Sequence, residues 1–87
     1  MKSDRHSKHY KALREWLAIK RVDDADETTR SIAEKLEVDQ SVIVKIEIGR
    51  RKLDVIEYVK YCSALGIDPI EGIKIVQKSL KKFPKAQ

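Results

Sequence analysis

The chain has 87 residues and a mass of 10.1 kDa, which allows one small domain and excludes a two-domain enzyme or a large buried cofactor. Charged residues make up 38% of the chain, and the net charge of +5 favours an anionic partner such as nucleic acid or a membrane surface. The apolar runs are too short to span a membrane, and the polar start lacks the apolar region of a signal peptide. The single cysteine, Cys62, cannot form an internal disulfide, and no Cys/His cluster is present. Composition therefore predicts a reduced, cytoplasmic protein without a metal, a cofactor or a span through a membrane.

Both ends of the chain are expected to be flexible. Residues 1–9 are basic and have no apolar anchor, so they are predicted to form a mobile arm. Residues 10–83 carry the patterned sequence of the folded domain, and Pro84 begins a short basic tail over 84–87. The chain therefore reads as one domain between two short tails.

The first helix is predicted over about 8–21, because Tyr10, Leu13 and Trp16 recur at helical spacing. An acidic cluster over 22–28 follows and is expected to form a solvated loop. A calcium loop would need regularly spaced oxygen ligands and a closing glutamate, which this cluster lacks.

A second helix over about 29–36 begins after Thr28, whose hydroxyl is a suitable N-cap. Only residues 37–39 separate it from a third helix over about 40–48, for which Asp39 is the expected N-cap. The spacing therefore predicts a tight turn between two short helices.

The third segment carries conflicting signals. The run 42–48 is rich in β-branched residues and, by itself, favours a strand. Wound as a helix, it places one group of residues on the inner side: Val42, Ile43, Ile46 and Glu47. The opposite side then carries Gln40, Ser41, Val44, Lys45 and Ile48. We predict a helix, because tertiary packing can override local propensity.

Two further helices are marked by strong start and stop signals. Asp54 and Glu57 form a capping-box pattern, and Gly66 provides a left-handed stop. The buried face of this fourth helix is predicted to contain Val55, Val59, Cys62 and Leu65. Asp68 and Pro69 open a fifth helix over about 69–82. Its apolar stripe is predicted to contain Ile73, Val76, Leu80 and Phe83.

Five short helices with a tight turn and a following basic loop predict an all-α fold with a helix-turn-helix at about 28–48. Several segments then match a known family in order: Leu13-Arg14, Ile32-Ala33-Glu34-Lys35-Leu36, Val38, Ile43, Lys45-Ile46-Glu47, Gly49 and Ala64-Leu65-Gly66-Ile67. Over about two thirds of its length, the chain resembles the Cro and lambda-repressor type of helix-turn-helix domain, also called the XRE family. The resemblance implies a compact five-helix, lambda-repressor-like bundle whose third helix enters the DNA major groove.

The same resemblance places Gln40, Ser41 and Lys45 at base-reading positions. Their chemistry agrees, since glutamine pairs with adenine, lysine donates to guanine and serine bonds either way. Val44 adds an aliphatic group that can pack on a thymine methyl. The alternative is that the polar residues are ordinary first-turn or solvated side chains, and that Val44 and Ile48 mark a protein-binding patch.

Contacts to the phosphate backbone are predicted at the edges of this face. The resemblance places Thr29 where family members touch a phosphate. Basic side chains supply most contacts of this kind, so Arg50, Arg51 and Lys52 are the next candidates, against the alternative of a plain charged loop. For Arg14 and Glu47 the resemblance implies a structural ion pair between the first and third helices.

Two departures from the family pattern concern the turn and the acidic cluster. Glu37 stands where the family usually has glycine, so the turn contains either a left-handed glutamate or a slightly different geometry. The cluster over 22–28 is longer and more acidic than usual, and it is expected to point away from DNA because it would repel phosphate.

These observations predict a sequence-specific, non-enzymatic transcriptional regulator of double-stranded DNA, typical of bacterial or phage repressors associated with the nucleoid. A homodimer is expected, because Ile75 lies off the main stripe of the fifth helix, and its operator would be an inverted repeat with half-sites about 34 Å apart. Two alternatives stay open. One is an antitoxin that represses its own operon and has a toxin as partner; the other is a protein-interaction adapter with the same fold. RNA binding is disfavoured, since Tyr10, Trp16 and Phe83 are interpreted as packing residues and leave no stacking platform.

Overall fold

Residues 7–80, which the computed structural model describes, form five α-helices and one π-helical turn. The elements are α1 (Lys8–Ile19), the π-helical turn (Lys20–Asp24), α2 (Thr29–Leu36), α3 (Gln40–Glu47), α4 (Val55–Leu65) and α5 (Pro69–Ser79). No strand occurs within this part of the chain. The predicted all-α, five-helix fold is confirmed. None of these helices is both long and apolar enough to cross a membrane.

α1 begins earlier than the predicted arm allows. The Ser7 side chain accepts a hydrogen bond from the Tyr10 amide, so Lys8 and His9 belong to the first turn of the helix. The rest of the predicted arm, residues 1–6, lies outside the described residues. So do Phe83 and the predicted tail.

The acidic cluster does not begin as a loop. α1 passes directly into the π-helical turn, in which the Ala25 amide donates to the Lys20 carbonyl at 2.9 Å. Lys20 also pairs with Asp24 at 2.8 Å, one turn further along. The chain leaves helical geometry at Asp26, whose φ is +52°. The loop is therefore shorter than the sequence predicted, because local backbone and side-chain bonds extend the helix.

The helix-turn-helix follows the predicted boundaries. Thr28 and Ser31 cap α2 reciprocally, each side chain accepting from the other's backbone amide. Glu37 ends α2 in the left-handed region, with φ of +59°, which resolves the open alternative about this turn. Asp39 occupies the N-cap of α3, but its side chain makes no capping hydrogen bond.

α3 is a helix despite its β-branched sequence. Ile43 and Ile46 are 0% and 2% exposed, respectively, and belong to the hydrophobic core. Burial of two isoleucine side chains outweighs a helix-propensity deficit of a few tenths of a kcal/mol per residue. Tertiary packing therefore decides the conformation of this segment, as predicted.

The buried face of α4 differs from the prediction. Val55 and Val59 are 74% and 45% exposed, whereas Tyr58 and Tyr61 are buried beside Cys62 and Leu65. The predicted and the observed buried faces share Cys62 and Leu65 and differ at the other positions of the helix. The larger tyrosine rings fill the core, and each hydroxyl has a hydrogen-bond acceptor, so the valine edge is turned outward.

α5 packs against α1 through a close approach at Gly72. A Cβ atom on this glycine would lie 2.6 Å from the Trp16 ring and 2.2 Å from the Tyr58 hydroxyl. Ile73, predicted to be on the buried stripe, is about half exposed, while Val76 and Leu80 are half-buried. α5 turns its glycine toward these aromatic side chains, since a Cβ at that position would collide with them.

Candidate nucleic-acid interface

The outward face of α3 forms an exposed surface with polar and aliphatic side chains. All five residues predicted to face outward are exposed, including Val44 at 38% and Ile48 at 56%. Together with Arg50 they line one shallow cleft: Gln40, Ser41, Val44, Lys45, Ile48 and Arg50. The structure thus brings all the predicted base-reading residues onto one surface.

Gln40 is tied to the first residue of α2. Its Nε2 donates a hydrogen bond to Thr29 Oγ1 at 2.8 Å. The amide keeps its carbonyl oxygen and a second N–H proton for other contacts, and this is the donor and acceptor pair that adenine requires. The Thr29 hydroxyl keeps its own proton for a further acceptor. Two residues predicted to have separate roles therefore form one hydrogen-bonded unit.

The basic loop that follows α3 contains one residue already engaged in an ion pair. Arg51 Nη2 and Nη1 lie 2.8 and 3.2 Å from the two carboxylate oxygens of Glu57. The hydrogen bond from this guanidinium lowers the pKa of the Glu57 carboxyl, against the opposing effect of burial. Arg50 and Lys52 are exposed on the same loop. Lys52 is thus better placed than Arg51 for an unshared phosphate contact.

The predicted ion pair between Arg14 and Glu47 is wrong in its cationic partner. Arg21, in the π-helical turn, donates from Nε and Nη2 to the Glu47 carboxylate at 2.6 and 2.9 Å. This hydrogen bond is the largest influence on the Arg21 guanidinium and raises its pKa. Both side chains of the pair are only 14% exposed. Arg14 instead donates to the Glu47 backbone carbonyl at 2.8 Å.

The position of Arg21 in the sequence explains why the predicted ion pair of Glu47 has the wrong cationic partner. Arg21 follows Arg14 by seven residues, which is about two helical turns, so both lie near one face of the helix. The sequence therefore contains a second candidate partner for Glu47. Gly49, with φ of +85°, leaves room for Arg14, whose atoms would lie within about 3.0 Å of an added Cβ.

A tyrosine interpreted only as a packing residue contacts the basic loop directly. Tyr10 OH donates to the Arg51 carbonyl at 2.7 Å and accepts from the Leu53 amide at 3.2 Å. Burial raises the pKa of this phenol. Nothing local in the sequence signals this contact, because more than forty residues separate the partners.

The remaining titratable groups in the described part of the chain include possible metal ligands and the thiol of Cys62. No group of histidine, cysteine, aspartate and glutamate side chains within residues 7–80 is arranged to hold a metal ion. Cys62 is buried in the core, and burial raises the pKa of its thiol.

Comparison with known proteins agrees with this geometry. A helix-turn-helix family model matches residues 28–71. An XRE-family-like protein from Pseudomonas syringae pv. tomato has a similar structure, with 32% identity and a TM-score of 0.77 over 85% of this chain and 89% of that one. The clp gene regulator ClgR from C. glutamicum is 25% identical, with a TM-score of 0.71 over 83% and 92% of the respective chains. A search of curated proteins finds no significant match.

These matches define the class as helix-turn-helix, and the chain belongs to the XRE family. Membership of this family supports a DNA-binding transcription regulator.

Proposed function

We propose that this protein is a sequence-specific repressor that reads an inverted-repeat operator as a dimer, through the exposed face of α3, and acts by occupancy without catalysis. The observation that carries the proposal is the division of α3 into two faces. Its inner face is buried in the core, while its outer face presents amide, hydroxyl, ammonium and aliphatic groups beside a basic loop. Those groups match the hydrogen-bonding and methyl features of base edges in the major groove.

The hydrogen bond between Gln40 and Thr29 supports base readout in particular. A glutamine held by a neighbouring hydroxyl has fewer conformations to lose when it binds adenine. With its remaining proton, Thr29 is suited to donate to a phosphate oxygen beside the same base. The phosphate contact that positions the protein and the contact that reads the base would then be linked through the side chains of Thr29 and Gln40.

A second copy of the chain is the expected partner on DNA. Apolar side chains are exposed on α4 and α5 at Val55, Ile56, Val59, Ile70 and Ile73. Exposed apolar side chains on adjacent helices fit an isologous interface of two identical subunits. Sedimentation of the protein alone and on DNA tests this, and a monomer in both states at micromolar concentration contradicts it.

Selection of duplexes from a random DNA pool, at near-physiological salt, tests sequence-specific recognition. Enrichment of one inverted repeat is the expected result and would also provide the operator sequence. Enrichment of nothing beyond bulk duplex would contradict base readout. It would favour the adapter alternative, with Val44 and Ile48 as the protein-contacting residues.

Two exposed lysines allow a matched test of the assigned roles. Lys45→Ala should change the preferred base at one operator position, with a loss of about 1–3 kcal/mol on the original site. Lys52→Ala should weaken binding to all duplexes similarly and reduce the salt slope by about one. Binding isotherms on the operator and on single-base variants, at several salt concentrations, measure both effects. Identical behaviour of the two variants would contradict the division into base and phosphate contacts.

A further inference from the structure

The loop that links α3 to α4 is held at both ends by hydrogen bonds to its backbone. At its beginning, the amides of Arg50 and Arg51 donate to the Lys45 carbonyl at 2.8 and 3.2 Å. At its end, the Tyr10 hydroxyl bridges the Arg51 carbonyl and the Leu53 amide. The three consecutive basic residues of the loop, Arg50–Lys52, therefore lie between two fixed points.

Tyr10 is itself held in a rigid frame. Its own amide donates to the Ser7 cap at 3.1 Å, so it lies in the first turn of α1. The preceding residue, His9, is hydrogen-bonded through Nδ1 to Ser79 Oγ at 2.7 Å, which joins the start of α1 to the end of α5. The phenol is half-buried, and its hydroxyl is hydrogen-bonded to backbone groups of residues 51 and 53. The helices thus fix the position of Tyr10, and Tyr10 in turn holds the loop.

We propose that Tyr10 is a positioning residue for DNA binding, which holds the backbone of the Arg50–Lys52 loop in its phosphate-contacting geometry before DNA arrives. The proposal rests on the proposed function in one respect: it takes the loop to be a phosphate-contacting segment. A loop ordered in advance does not lose backbone freedom on binding, so more of the electrostatic attraction appears as affinity. In this proposal Tyr10 acts through the loop and not by its own contact with DNA.

The test compares Tyr10→Phe with Tyr58→Phe. Each change removes one hydroxyl and keeps the ring. Tyr58 is the matched control because its hydroxyl donates to the Pro69 carbonyl at 2.5 Å, joining α4 to α5 away from the basic loop. Affinity is measured on the selected operator and on an unrelated duplex of equal length, across a salt series. Amide hydrogen exchange at Leu53 is measured in the protein without DNA.

We expect Tyr10→Phe to bind both duplexes about five-fold more weakly, a factor that matches the backbone freedom of about one residue of the released loop, which binding must then remove. The salt slope should stay unchanged, since no charge is removed. Leu53 should exchange at least about ten-fold faster, since its amide loses its acceptor. Tyr58→Phe should bind within about two-fold of the original protein and leave Leu53 exchange unchanged.

Several outcomes would overturn the proposal. One is unchanged affinity in Tyr10→Phe, and another is an equal loss in both variants, which would indicate a general effect of stability. Weaker binding of Tyr10→Phe with unchanged exchange at the Leu53 amide would show that the hydroxyl contacts DNA directly and does not hold the loop. Failure of the proposed sequence-specific recognition would be seen separately, because the original protein would then bind the operator and the unrelated duplex equally well. The comparison of Tyr10→Phe with Tyr58→Phe on either duplex would still test the role of the loop.

Discussion

At the residue scale, Glu47 is the point where α3 is joined to three other elements. Its carboxylate accepts hydrogen bonds from Arg21 in the π-helical turn and, at 3.0 Å, from the Tyr61 hydroxyl on α4. Its backbone carbonyl accepts from Arg14 on α1. Arg21 also donates to the Glu27 carbonyl at 2.8 Å, which fixes the loop before α2. Side chains from three other elements therefore help to position the C-terminal end of α3.

This arrangement predicts unequal costs for the two arginines. Arg21→Met leaves a largely buried carboxylate without its cationic partner and should lower the free energy of unfolding by about 3 kcal/mol. Arg14→Met removes a single donor to a backbone carbonyl and should cost about 1 kcal/mol. Urea denaturation of both variants measures the difference. An equal or larger loss in Arg14→Met would show that the ion pair implied by the family resemblance dominates after all.

At the element scale, the helices differ in how their first turns are stabilised. α2 and α4 each have a reciprocal capping box, in which the cap side chain and the third helical residue bond each other's backbone. α3 has no side-chain cap and is only eight residues long. A short helix of this kind is marginal by itself, so α3 depends on tertiary packing.

A comparison of the aspartates at two N-caps tests this difference. Asp54→Ala removes the hydrogen bond that Asp54 Oδ1 accepts from the Glu57 amide at 2.7 Å and should cost about 1 kcal/mol. Asp39→Ala removes no such bond and should cost less than about 0.5 kcal/mol. Thermal and urea unfolding of the two variants provide the measurement. Comparable losses would mean that Asp39 stabilises α3 through a contact other than its cap.

At the scale of the whole molecule, two tyrosines on α4 hold the bundle together. Tyr61 reaches the end of α3 through Glu47, and Tyr58 reaches the start of α5 through Pro69. Burial is the main cause that raises the pKa of both phenols far above the ordinary tyrosine value. For Tyr61, the negative charge of Glu47 adds to this effect. The folded state therefore retains two protons that the unfolded chain releases in alkali.

The pKa shifts predict a loss of stability in alkali. Both folded-state pKa values are raised, so the contribution of the phenols is complete below the unfolded-state pKa of about 10 and declines as the pH rises above it. Above that pH the unfolded chain binds fewer protons than the folded protein, which makes the slope of the unfolding free energy negative. Tyr58→Phe should have a shallower decline between about pH 10 and 12 than the original protein. Equal slopes in urea titrations across this range would contradict the assignment.

The sequence by itself determined the features that depend on neighbouring residues. Caps at Thr28 and Asp54, the stop at Gly66 and the two faces of α3 follow from short-range hydrogen bonds and from helical periodicity, both of which a linear pattern contains. The backbone conformation at Glu37 could not be decided from the sequence, because the left-handed region costs an L-residue only about 1–2 kcal/mol and other contacts can compensate for this cost.

Tertiary structure alone decided the remaining choices. Arg14 and Arg21 offer the same chemistry near one helix face, and only the distance to Glu47 selects between them. Val55 and Tyr58 compete for the core of α4, and the volume left by α5 at Gly72 admits the tyrosine. Tyr10 meets its loop across more than forty residues. Such contacts depend on how helices pack, and packing responds to the shape and volume of side chains that lie far apart in the chain.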